Sequence, residues 1–184
     1  MLASGGPDNI KARLLASRCA VSVGTIYNLF GDLDELKRQL VEDLVAELAT
    51  AIAHEENEMP TEGVRPLDRL LRLSRLYIDE VARDLVTWAG CFDIAQRVPI
   101  RAWHQDGHLA QLMTGPIAAF PGAASPTRRQ IAAEAAWSTI YGMVIAAIIN
   151  RELPHQKQAV RTRMELTLRA LAGSLASPPF SVTS

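Results

Sequence analysis

Hydrophobic positions recur with a helical period along nearly the whole chain. In residues 10–18, Ile10, Leu14 and Leu15 fall on one stripe, with Pro7 and Asp8 ahead of them as start signals. A short break at Cys19-Ala20-Val21 leads into a segment headed by Ser22. The Ser22 side chain is placed to cap that segment by accepting from the backbone N–H of Gly24 or Thr25. Ile26, Leu29 and Phe30 then lie three and four residues apart and line one face, while Val23, Gly24, Thr25, Tyr27 and Asn28 make a second face of small or hydrogen-bonding residues. From 34 to 55 an aliphatic residue returns every fourth position, at Leu36, Leu40, Leu44, Leu48 and Ile52. This predicts one long helix, capped by Asp32 and with Asp34 and Glu35 suited to its positive end.

Residues 55–63 are acidic, aperiodic and punctuated by Pro60 and Gly63, hence a loop. Helices follow at 67–82, with a broad apolar face, and at 84–96, ended before Pro99. A further helical stretch at 100–120 is interrupted near Gly115-Pro116, and 121–125 forms a loop in which Ser125 caps the next helix and Pro126 takes its first position. Residues 127–151 are apolar on nearly all sides, and 158–176 are amphipathic again. The pattern predicts an all-α fold: a helix-turn-helix head over 1–45, a larger helical body over 46–177, and a disordered tail over 178–184.

The chain has 184 residues, 48% of them hydrophobic, which suffices for a sizeable core. Cys19 and Cys91 are far apart and suggest neither a disulfide framework nor a zinc spacing, so free thiols in the cytoplasm are expected. Met1 to Gly6 has no basic segment and no apolar core behind it, so no secretory signal is read there. Residues 132–149 are the most apolar, yet Glu134, Ser138 and Thr139 interrupt them, which fits a buried helix or a subunit interface rather than a membrane span. A net charge of −1 gives no general attraction to DNA, so any such binding must rest on local charge. In the head, Lys11, Arg13, Arg18, Lys37 and Arg38 face Asp8, Asp32, Asp34, Glu35, Glu42 and Asp43. No paired nucleophile and base, glycine-rich phosphate loop or carboxylate cluster stands out, so catalytic residues are not expected. His104 and His108 have the i, i+4 spacing of some metal sites but no third ligand, and a polar contact to a bound molecule is the preferred use. No cofactor is expected.

The run Val-Ser-Val-Gly-Thr-Ile-Tyr-Asn-Leu-Phe at 21–30 resembles the recognition helix of the TetR-type (tetracycline-repressor-like) transcriptional regulators. Their run reads Val-Ser-x-Gly-Thr-[Leu/Ile]-Tyr-x-[His/Leu]-Phe, followed by a short turn and Glu-Leu, here Glu35-Leu36. The resemblance implies that Ser22, Val23, Gly24, Thr25, Tyr27 and Asn28 meet DNA. Thr25 and Tyr27 would hold phosphates, Asn28 a base edge or a phosphate, and Val23 a thymine methyl, while Gly24 lets the backbone come close. The chain departs from the family in having Ala20 for a turn glycine and Leu33 for a frequent lysine. Leu2 to Gly6 resembles only the tail of the family's first helix and the following turn, so Leu14, Ile26 and Phe30 are expected to lack one packing partner.

In the body, residues 136–143 resemble the family's Trp-x-x-x-His-Gly segment, with Tyr141 in place of the histidine. That implies a homodimer built on the last two long helices, with the small residues Ala135, Gly142, Ala146, Ala147 and Gly173 allowing close approach. Trp88, Phe92, Trp103, His104, His108, Met113, Trp137 and Tyr141 are the expected surroundings of a small-molecule pocket. The function implied is a dimeric repressor on a palindromic double-stranded operator, released by an apolar or aromatic effector. The alternative is a ligand-binding and dimerisation module that has lost DNA binding with the first helix.

Overall fold

Most of the helices begin where a side chain or a proline is placed to begin them. In the computed structural model, which describes residues 8, 10–58, 60, 63–100, 108–150, 152–153 and 155–176, the elements are nine α-helices, and no strand occurs among the described residues. They are α1 (Ala12–Cys19), α2 (Val23–Phe30), α3 (Leu33–Asn57), α4 (Pro66–Arg83), α5 (Leu85–Ala95), α6 (His108–Leu112), α7 (Thr114–Ala118), α8 (Pro126–Ile149) and α9 (Lys157–Ala176). Ser22, Asp32, Asp84 and Ser125 cap α2, α3, α5 and α8, each accepting from the backbone N–H three residues on. Pro66 and Pro126 open α4 and α8, where a missing N–H costs nothing. The expected tail at 178–184 lies outside the described residues, as do Met1 to Pro7.

The head is a helix pair set on a shaft. α1 packs on α2, α2 packs on the start of α3, and α3 runs on to meet α4, α5 and α6. At 25 residues and about 1.5 Å per residue, α3 spans roughly 37 Å, enough to join head and body in one element. In the body, α4 packs against α9 and α7, and α8 against α9, α7, α6 and α5. The α4–α9 seam also carries charge: Asp79 pairs with Arg161 and with Lys157 at 3.2 Å, and Arg75 pairs with Glu165 at 2.9 Å.

The structure departs from the sequence reading in four places. α1 starts at Ala12 rather than near Asp8, because Lys11 is extended and the Asp8 carboxylate reaches Arg97 at 2.9 Å instead of capping a helix. Leu29 is 68% exposed, so only Ile26 and, in part, Phe30 anchor α2, and no described residue covers the side where Leu29 projects. The every-fourth-residue row on α3 does not stay on one face. Four residues turn a helix by about 400°, so the row winds about 40° per step. Leu36, Leu48 and Ile52 are buried while Leu40 and Leu44 are half-buried, and Val41, Val45 and Ala49 complete the inner face. The break expected near Gly115-Pro116 falls at Met113, since Pro116 cannot donate to the Leu112 carbonyl four residues back and α6 must end there.

α8 is the one described helix long and apolar enough to cross a membrane by length and composition, but 39% of its apolar window is buried inside the protein.

Candidate functional site

The turn between α1 and α2 is closed by a residue in an unfavourable conformation. Ala20 sits at φ 55 and ψ 38, left-handed space that L-residues other than glycine seldom enter. It is held there by a paired C-cap, with Val21 N–H donating to the Ala16 carbonyl at 3.0 Å and Ala20 N–H to that of Ser17 at 3.4 Å. The Ser22 hydroxyl then accepts from Thr25 N–H at 3.0 Å and also meets the Thr25 hydroxyl at 2.9 Å. Thr25 is thereby half-buried and tied into the cap, whereas Val23, Gly24, Tyr27 and Asn28 are exposed on the outer face of α2. Tyr27, 44% exposed, is the freest hydroxyl on that face.

Gly24 has no internal reason to be glycine. A Cβ there would lie 3.6 Å from Ser22 Oγ, an ordinary contact. Glycine within a helix costs up to about 1 kcal/mol relative to alanine, so its use here leaves room for something outside the protein.

Charge in the head is arranged better than its count suggests. Lys37 pairs with Asp34 at 3.1 Å on α3, and Arg38 with Glu42 at 2.7 Å and with Glu35. Hydrogen bonds from Arg38 and then Gln39 hold the Glu35 carboxyl below its usual range. These pairs engage Asp34, Glu35 and Glu42 together with Lys37 and Arg38. Lys11, Arg13 and Arg18, on and beside α1, are exposed and make no ion pair among the described residues. The local surplus therefore lies along α1.

Beneath the two short helices is an apolar groove of about 540 Å³, walled by Leu15, Ile26, Phe30, Leu36, Leu40 and Leu44. Leu14 of α1 is 38% exposed. Of the three residues expected to lack a partner, Phe30 is half-buried and Ile26 is buried.

In the body the expected pocket residues meet as an aromatic cluster. Trp137 makes an edge contact with Tyr77, centroids 5.4 Å apart, and stacks on Tyr141 at 5.7 Å; Phe92 tilts against Tyr141 at 5.8 Å. Trp88 and Met113 are buried as well. Trp103 and His104 lie outside the described residues, and so does the side chain of His108. The sequence reading missed Tyr77, which sits in the apolar row of α4 and looked like core. Its hydroxyl oxygen is sealed from solvent with no hydrogen-bond partner among the described residues, and burial pushes its pKa far up. Such an orphaned group costs on the order of 1–3 kcal/mol. Beside the cluster, burial first and the Asp84 charge second push the Cys91 thiol up to about 12, so this cysteine is inert.

The small residues expected at a dimer interface divide. Ala135 is half-buried, and Gly142, Ala146 and Gly173 are exposed, so these four face outward. Ala147 is fully buried and faces into its own protomer, because one residue beyond Ala146 turns a helix by about 100°. Ile131, Ile149 and Leu166 are each at least 60% exposed on the same two helices. A Cβ added at Gly142 or Gly173 would meet nothing.

A scan of the chain against protein-family models finds no match, and a search of curated proteins finds none either.

Proposed function

We propose that the chain is a ligand-responsive, DNA-binding transcriptional regulator of the TetR type, acting in the cytoplasm as a homodimeric repressor. The observation that carries the reading is the outer face of α2. A capped two-turn helix is anchored by Ile26 and presents Val23, Gly24, Tyr27 and Asn28 to the outside, with unpaired cations on the neighbouring α1. That division suits a helix entering the major groove: small side chains approach base edges while hydroxyls and cations hold phosphates.

Dimerisation is supported by the exposed apolar strip on α8 and α9. Gly142 and Gly173 each weaken a helix without relieving any internal crowding, and close approach of a second copy gives them a use. Two heads related by a two-fold axis would read a palindromic operator. An effector site around Trp137, Tyr141 and Phe92 is supported by the orphaned Tyr77 hydroxyl, which a hydroxyl- or carbonyl-bearing aromatic ligand would satisfy. Such a ligand would release DNA by favouring a different spacing of the heads.

A second reading, a dimeric ligand-binding module without DNA binding, draws on the open apolar groove under α1 and α2, which leaves the head thinly supported. The two are separated by fluorescence anisotropy on DNA selected by the chain, with Tyr27→Phe and Asn28→Ala as comparisons. A regulator loses affinity with both variants, with altered sequence preference for Asn28→Ala if that residue reads a base. A module without DNA binding shows the same weak, sequence-independent signal for all three proteins.

A further inference from the structure

A second groove, of about 670 Å³, runs between α6–α7 and the first turns of α8. Its volume falls within the range of roughly 300–1,000 Å³ usual for small-molecule sites. Ala110, Ala118 and Ala133 leave it roomy, and Arg129, Gln130 and Glu134 add polar groups.

Arg129 is the anomaly. The other half-buried arginines are provided for: Arg38 by Glu35 and Glu42, Arg69 by Glu56, Arg161 by Asp79, and Arg128 by the Ser174 carbonyl at 3.5 Å. The Arg129 side chain alone among them has no hydrogen bond or ion pair among the described residues; its Nε, like those of Arg69 and Arg161, is sealed from solvent without a partner there. Arg129 is also the fourth residue of a 24-residue helix, at the end where the helix dipole opposes a positive charge. Glu134, the acid in the groove, is engaged by Gln130 at 3.0 Å rather than by Arg129. A half-buried cation without a counter-ion is unfavourable, and an external anion relieves it.

The surroundings narrow the class of anion. Ala133 lies one helical turn beyond Arg129 on the same face, so a molecule held by the guanidinium would lay its body along the alanines. The Glu134 charge penalises a ligand carrying a second negative charge. We propose that this groove binds a small organic monocarboxylate, its carboxylate paired with the Arg129 guanidinium and its apolar body on Ala110, Ala118 and Ala133. The site stands apart from the aromatic cluster and does not depend on the protein's being a regulator.

The test is titration of the full chain with straight-chain carboxylates from acetate to octanoate, followed by calorimetry and by the Arg129 Nε–Hε resonance. Expected is one saturable site whose affinity rises with chain length until the groove is filled, with the Arg129 resonance moving in step. Arg129→Gln should weaken binding by at least about tenfold, as for other charge-assisted bonds. Ala133→Leu, which fills the groove and keeps the arginine, should weaken the longer acids most; it keeps the test valid if Arg129→Gln fails to fold. Octanol and inorganic phosphate should not bind. Absence of saturable binding across the series, equal binding of octanol, preference for phosphate, or unchanged binding in a folded Arg129→Gln variant would each overturn the proposal.

Discussion

Ile26 is the one residue of α2 that is fully inside, so truncating it measures how the candidate recognition helix is held. Ile26→Ala removes three carbons, and at about 0.8 kcal/mol per buried methylene the transfer loss is about 2.4 kcal/mol. In a closed core a cavity term would raise this to as much as 5 kcal/mol. Ile26 borders the open groove of about 540 Å³, where solvent can follow the lost atoms, so the cavity term should be small. The loss should also be local. Among the described residues α2 packs on α1 and α3, and α3, which runs on to the body, is independently fixed there by Val41, Val45, Leu48 and Ile52. Native-state hydrogen exchange reads this directly: α2 amides should lose protection by about 50-fold, at about 1.4 kcal/mol per factor of ten, while α4, α8 and α9 amides stay unchanged. Equal loss of protection in α2 and α9 would refute the separation of head from body. Unchanged protection in α2 would refute the anchoring role of Ile26.

Three further outcomes follow from the same geometry. Ala20→Gly relieves a left-handed strain of roughly 1–2 kcal/mol and gives part of it back as unfolded-chain entropy, so head stability should rise by about 0.5–1 kcal/mol, seen as slower exchange in α1 and α2. At Asp79, burial pushes the carboxyl up, but hydrogen bonds from Arg161 and Lys157 and their charges outweigh it and hold the group below its usual range. A folded pKa below the unfolded one means stability that is present above about pH 4 and lost as pH falls through the folded value. Asp79→Asn should therefore cost about 1 kcal/mol at pH 7 by urea unfolding and almost nothing near pH 2; a cost that does not shrink with acid would contradict this. Gly142→Arg adds a long charged side chain to the exposed face of α8, at a position where a Cβ meets nothing within 4 Å, so it should leave the melting temperature within about 2 °C yet yield monomers in sedimentation.

Helix positions were the legible part of the sequence, because the start signals are local. Ser22, Asp32 and Ser125 act within three residues of themselves, and each caps where the sequence places it. Less legible was anything that depends on what lies across the gap. Leu29 carries the same side chain as Leu36, yet one is exposed and the other, beside Ile26 and Phe30 in the wall of the groove, is buried. Ala146 and Ala147 differ by one step of the helix, yet one is exposed and the other buried. Tyr77 and Arg129 escaped notice for a related reason: a hydroxyl or guanidinium stands out only when its neighbours fail to provide a partner. The charge count of the head hid the arrangement, because pairing on α3 engages Lys37 and Arg38 with Asp34, Glu35 and Glu42 and leaves the cations of α1 apart from them.

The central claim, that α2 reads DNA, is tested most directly by selecting bound duplexes from a random pool and then following affinity for the enriched site against salt. The account predicts a palindromic enriched sequence, as two related heads require. With Lys11, Arg13 and Arg18 free on each head, it also predicts a log–log salt slope of about −5 for the dimer, from roughly 0.9 per phosphate contact. A pool that stays random through the selection, with affinity indifferent to salt, would contradict it.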